Sequence, residues 1–211
     1  TISNAQTKDA DGNAITHYAG GIIATSENAV SFTATTCINY GAVTSNVNRV
    51  GGIIGSLNVG KLTSCVNYGV ITGTSNVAGI AGTVPWASDT TKSIYKCTNQ
   101  GAIKNSSYFG GGIAGSANQV TIDNCKNYAV VGNGTGTNSG GIVGINYNTA
   151  SVINSTNYGN VTGKTGLGGI AFKNEGTIQN CTNSGTLIAT STSGTVAEDG
   201  IVHTNTGTVT G

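Results

Sequence analysis

Five cysteines, eight tyrosines, two histidines and eight carboxylates are the side chains of this sequence with the chemistry to do more than pack. The cysteines are spaced regularly. Cys37, Cys65, Cys97, Cys125 and Cys181, with Ser155 standing in the same slot, start at separations of 28, 32, 28, 30 and 26 residues. Thiolate zinc sites use short Cys-x-x-Cys pairs; none is present, so no metal is assigned. A disulfide framework is the rival reading for an exported chain. Against it, an odd count leaves one thiol over, and equivalent slots that face the same way suit disulfide geometry badly. The reading adopted is a core column of small, soft side chains, a slot that Ser155 also fills. The histidines, His17 and His203, stand near opposite ends. The carboxylates are Asp9, Asp11, Glu27, Asp89, Asp123, Glu175, Glu198 and Asp199; only the last two adjoin, and they share no repeat position. Cleavage of a polysaccharide asks for clustered carboxylates or a cation beside them. No catalytic residue and no cofactor are therefore nominated.

The tyrosines are the better binding candidates. Tyr40, Tyr68, Tyr128 and Tyr158 occupy one slot, directly after the recurring asparagines Asn39, Asn67, Asn99, Asn127, Asn157 and Asn183. Stacked tyrosines stabilise neighbouring strands, and they would also offer an aromatic strip to a glycan or a protein. The asparagines are expected to form a structural ladder, each amide donating to the next coil and satisfying groups its turn leaves open. The sole Pro and the sole Trp fall in an insertion, Thr83–Lys92. Insertions in repeat proteins form protruding loops, often on the working face. Trp86 is thus either a second binding candidate or a local cover over its own coil.

Elements that could bring such slots together must repeat with them. Each copy reads Cys-x-Asn-Tyr-Gly or a degraded form of it, as in Cys37–Gly41 and Cys65–Gly69. An apolar residue lies three positions before (Leu62, Ile94, Ile122) and another six after (Ile71, Ile103, Val131). Between copies runs Gly-Gly-Ile, at Gly20-Gly21-Ile22, Gly51-Gly52-Ile53, Gly111-Gly112-Ile113, Gly140-Gly141-Ile142 and Gly168-Gly169-Ile170. Short β-branched bursts between Gly and Asn argue for strands, and no 3.6-residue period is sustained. One repeat cannot bury its apolar face, whereas stacked repeats bury a continuous column. The expected fold is all-β: a parallel β-helix of six to seven coils, 26–32 residues each, with two or three short strands per coil. At roughly 4.8 Å per coil it would be a rod of about 30 Å. The paired glycines are expected at corners needing positive φ or close backbone approach. Residues 1–19 read as a leading segment or partial coil and 20–211 as one elongated solenoid domain.

Composition narrows the function. Charged residues are 8% of the 211, with net charge +1, while Thr contributes 32 residues, Asn 25 and Gly 34. That lacks the basic surface a nucleic-acid partner needs, and no apolar run is long enough to insert in a membrane. A Thr/Asn/Gly-rich, charge-poor chain suggests an extracellular setting, and the start at Thr1 reads as a mature or excised part of a longer protein.

The run Gly140-Gly141-Ile142-Val143-Gly144, then Val152-Ile153-Asn154-Ser155, then Gly159-Asn160-Val161-Thr162-Gly163 resembles the GLUG motif of bacterial surface proteins. The resemblance covers about Gly20 to Gly211 with every copy imperfect. It implies a β-helical segment of a secreted or cell-surface, adhesin-like protein, and it brings no catalytic residues. The expected function is a non-catalytic structural or adhesive module, with a host or bacterial glycan or protein as partner. Bare solenoid ends are templates for strand pairing, so the expectation is either that the native chain continues or that copies stack head to tail into a filament. One alternative is a carbohydrate-binding or polysaccharide-processing β-helix using the tyrosine strip. A second is an ice-binding solenoid, disfavoured because Thr44, Thr72 and Thr162 share a slot with Lys104, Gly132 and Ile188.

Overall fold

A computed structural model describes residues 2–4, 18–27, 29–46, 48–197 and 200–211. The chain winds as a parallel β-solenoid of about six coils, with no helix among the described residues. A full coil carries up to five very short strands rather than two or three, and like strands stack in five columns, the fifth reduced to a single bridge at Val131 in one coil. The first column holds the glycine pairs, from Ala19–Gly20 to Leu167–Gly168. The second runs from Ile23–Thr25 to Val202–Asn205 and the third from Thr33–Thr35 to Thr208–Thr210. The fourth carries the asparagines, from Ile38–Asn39 to Thr182–Asn183, and the fifth includes Val43–Ser45, Ile71–Gly73 and Ile103–Asn105. Ile2–Asn4 also pairs parallel with Val43–Ser45. Successive motif copies lie in register, Asn67 between Asn39 and Asn99 and Ile71 between Val43 and Ile103.

The strands are short because corners interrupt them, and few of those corners are glycine. The residue before each slot of the cysteine column is left-handed: Thr36, Ser64, Lys96, Asn124, Asn154 and Asn180 have φ between 49° and 54°. A second left-handed column, Arg49, Asn76, Phe109, Asn138 and Gly166, precedes the glycine strands. The Gly-Gly pairs themselves avoid positive φ and serve close approach. A Cβ on Gly52 would stand 2.2 Å from Gly79 O and 2.5 Å from the Asn67 side chain, and one on Gly112 would stand 2.4 Å from that of Asn127.

This contact links the two motifs and divides the core. The larger apolar cluster holds Ile53, Ile54, Leu62, Cys65, Ile94 and their equivalents, and the smaller holds Val43, Val50, Ile71, Val77 and Ile103. Between them along the chain come Gly52 on one side and Asn67 on the other, and these two touch. A wall of asparagine pressed on glycine separates the two apolar columns.

Candidate functional site

The asparagine wall is hydrogen-bonded from end to end. Asn39 Nδ2 donates to Asn67 Oδ1 at 2.8 Å, Asn67 to Asn99 at 2.9 Å, and Asn99 to Asn127 at 2.8 Å. Asn127 continues to Asn157 at 2.7 Å and Asn157 to Asn183 at 2.9 Å. The second amide proton bonds the carbonyl two residues on, as Asn99 does to Gly101 O at 2.9 Å. Several Oδ1 atoms also accept the N–H of that residue, Asn127 from Ala129 at 3.3 Å. Buried amides need all of these partners, so the column is a closed polar network with no group turned toward a ligand.

The thiols are equally inward. Cys65, Cys97 and Cys125 are fully buried, Cys37 and Cys181 are partly so, and all five are free. Their sulfurs meet backbone carbonyls, Cys125 that of Ile94 and that of Asp123, each at 3.4 Å. Ser155 Oγ takes the place of a sulfur, donating to Ile153 O at 2.8 Å and accepting the Cys125 N–H at 3.1 Å. Side-chain hydrogen bonding to Cys97 and burial push the Cys65 thiol far up, and a bond to Cys125 raises Cys97 in the same way. Burial raises Cys37 and Cys181. Thiolates are the reactive form, so this column is chemically quiet.

A second ladder, absent from the sequence reading, runs Asn146 to Asn174 to Asn205, each step 2.8 Å. The coil below carries Ala117 at that position, and the buried Asn146 Oδ1 has no partner. Asparagines 28 and 31 residues apart were its only mark in the sequence.

The tyrosines face out. Tyr40 and Tyr68 stack with ring centroids 5.1 Å apart and planes 5° from parallel, as do Tyr128 and Tyr158 at 4.8 Å and 7°. Gln100 occupies the rung between the pairs. Tyr40 is 73% exposed, and Ile38, Val70 and Val130 beside the column are exposed as well. The result is an aromatic and aliphatic strip along one edge, with ring edges and hydroxyls toward solvent.

Trp86 lies elsewhere. It sits in the insertion between the second and third columns, whereas the tyrosines lie between the fourth and fifth. Trp86 is 65% exposed. The loop around it is anchored: Ala87 N donates to Gln119 Oε1 at 2.9 Å and Gly60 N to Asp89 Oδ2 at 2.8 Å. The Gly60 and Thr91 donors hold the Asp89 carboxyl below its usual range. Lys92, only 2% exposed, donates to Pro85 O, and burial pushes its ammonium down. An open cleft of about 470 Å³ runs beside this loop, lined by Val30, Phe32, Val59, Ser88 and Asp89 among others.

His203 Nε2 lies 2.7 Å from Thr195 Oγ1, Nδ1 lies 3.0 Å from Thr204 Oγ1, and the ring stacks on Phe172. His17, Asp9, Asp11, Glu198 and Asp199 lie outside the described residues. Among the described residues no three His, Cys, Asp or Glu side chains gather as a metal site would require, and no helix is long and apolar enough to cross a membrane. Thr44 and Thr72 stack in register, but Lys104 takes the next rung, which breaks that threonine row.

No family model matches the chain, and no curated protein does. A solved structure does: the crystal structure of a putative immunoglobulin A1 protease from Bacteroides ovatus, with TM-score 0.62 and 22% identity over 93% of this chain and 67% of that one. At that identity the likeness is one of fold. The class that the fold and the similarity define is the parallel β-solenoid with short repeated coils.

Proposed function

We propose that this chain is a non-catalytic, extracellular structural and adhesive module of a bacterial surface protein, of the GLUG-repeat kind, that presents its tyrosine column to a partner. One observation carries the reading. The inward positions of the motif are used up by the scaffold, and the aromatic position beside them is left in solvent, repeated along a rigid edge. Exposed aromatic residues on a preorganised surface are where binding energy concentrates. The similar structure is described as a protease. In this chain the described histidine meets threonine hydroxyls on both ring nitrogens and a phenyl ring. No carboxylate among these partners orients it as a base, which favours binding over hydrolysis.

The test is adhesion of the purified chain to bacterial and epithelial cell surfaces. A variant with Tyr40, Tyr68, Tyr128 and Tyr158 all changed to Ser should lose binding while keeping its β circular dichroism spectrum. Undiminished binding by that variant would sink the reading, and so would hydrolysis of a protein or polysaccharide panel by the native chain.

A further inference from the structure

The break in the tyrosine column has the shape of a site. Gln100 N donates to Asn67 O at 2.7 Å and Tyr128 N to Asn99 O at 2.9 Å, so Tyr68, Gln100 and Tyr128 occupy three successive rungs. Within each tyrosine pair the rings lie nearly parallel, about one rung apart. Each pair therefore turns one ring face toward the Gln100 rung, where an amide side chain stands in place of a third ring. Two rungs separate these faces, roughly 10 Å at about 4.8 Å per rung. Half of that equals the ring spacing inside each pair, so the gap is one flat ring wide. The residues of that rung are polar, with Gln100 exposed and Thr98, two residues before it, half-buried. An amide supplies both a donor and an acceptor.

The rim carries positive charge. Lys126 is exposed on the same outward face as Tyr128, with buried Asn127 between them, and Lys104 is exposed on the strand that follows Gln100. Among the described residues the ion pair present is Lys173–Glu175, on a later coil. The carboxylate nearest to Lys126 in sequence, Asp123, accepts from Asn154 Nδ2 at 2.9 Å.

We propose that the notch between Tyr68 and Tyr128 binds a carboxylate-bearing pyranose, the acidic sugar of a glycan. The ring's C–H faces lie against the two tyrosines, its hydroxyls reach Gln100 and Thr98, and its carboxylate is drawn to Lys126, with Lys104 on the far side adding to the positive potential. Aromatic walls with a few convergent polar groups are the usual make-up of a small-ligand site. The Gln100 amide and the two ammonium groups favour a sugar acid over an aromatic side chain of a protein. This proposal rests on the adhesive reading above and gives it a ligand class.

The experiment is calorimetric titration of the chain with galacturonate trisaccharide and 3′-sialyllactose, with galactotriose and lactose as neutral counterparts. The two acids separate a uronate source from a sialate source. At least one acid should bind about tenfold or more tighter than its neutral counterpart, and Lys126→Ala should remove most of that difference. Gln100→Tyr fills the notch with a ring at the native spacing and should abolish binding while raising the melting temperature. Gln100→Glu keeps the notch open, repels the carboxylate and should also lose affinity by about tenfold. Binding by none of the four saccharides overturns the proposal, as does equal binding of acid and neutral forms, or native affinity in Gln100→Tyr. Cell adhesion that survives Gln100→Tyr but is lost in the four-tyrosine variant overturns the notch and leaves the adhesive module standing.

Discussion

Asparagine and tyrosine sit side by side in the repeated motif and answer to different constraints. The asparagine holds at all six rungs, from Asn39 to Asn183, whereas the tyrosine lapses at Gln100 and Ser184. Inside, the donor of one amide is matched to the acceptor of the next, so changing one rung leaves its neighbours unpaired in a place water does not reach. Outside, losing a ring removes a stacking contact and water replaces it. The continuous column is therefore what the fold cannot give up. The interrupted one is where the sequence is free to vary, and where a ligand would meet it.

Asn127→Ala should show the largest effect. It strands Asn99 Nδ2 and removes a donor from Asn157 Oδ1, and the Ala129 N–H and carbonyl lose their side-chain partner. At about 1–3 kcal/mol for each buried polar atom left unsatisfied, the loss should reach at least about 3 kcal/mol by denaturant titration. A loss under about 1 kcal/mol would mean the ladder is decoration.

Asn146→Ala sharpens the point, since it removes the first rung of the shorter ladder. Asn146 Oδ1 already lacks a partner, so deletion takes away one orphan while creating another at Asn174 Oδ1. Only the hydrogen bonds of Asn146 Nδ2, among them those to Asn174 Oδ1 and Thr177 O, are lost outright. The cost should be about 1 kcal/mol, well under that of Asn127→Ala. Tyr128→Ala, one residue from Asn127, should cost less again, up to about 1 kcal/mol, the scale of an exposed aromatic pair. Equal losses at Asn127 and Tyr128 would erase the distinction between the two columns.

How far the sequence shows this depends on how each position is constrained. The period, the register and the inward apolar slots were readable, because stacking forces like residues onto like. The division of a coil into up to five strands was not. Several of its corners are turned by Thr36, Ser64, Lys96, Arg49 and Phe109, residue types that carry no left-handed signal, and only the rest of those two left-handed columns by Asn or Gly. Of the two reasons expected for the Gly-Gly pairs, close approach holds and positive φ does not: neighbouring backbone and an asparagine side chain fill the space a Cβ would take. The ladder through Asn146 escaped notice because only three coils carry it. Gln100 was visible as a degraded motif copy, but its place between two stacked pairs needed coordinates. Trp86 drew attention as the sole Trp, yet the fold sets it on a different edge from the tyrosines.

The smallest effect tests whether the corners store strain. Thr36 holds φ at 53° with a β-branched side chain, a conformation that costs an L-residue about 1–2 kcal/mol and that asparagine tolerates better. The molecule supplies its own controls, since Asn124, Asn154 and Asn180 make the same turn in later coils. Thr36→Asn gives up a hydrogen bond from the Thr36 hydroxyl to Thr35 O at an exposed site, which water replaces. The net gain should be up to about 1 kcal/mol, seen as a higher denaturation midpoint with unchanged slope. The same change at Lys96 should gain less, because the ammonium lies 5.0 Å from the Tyr95 ring centroid and that attraction would be lost. If Thr36→Asn lowers the midpoint, the corner is not strained by its side chain. The coils would then be held in the left-handed turn by the ladders on either side, and corner residues would be as free to vary as the outward tyrosines.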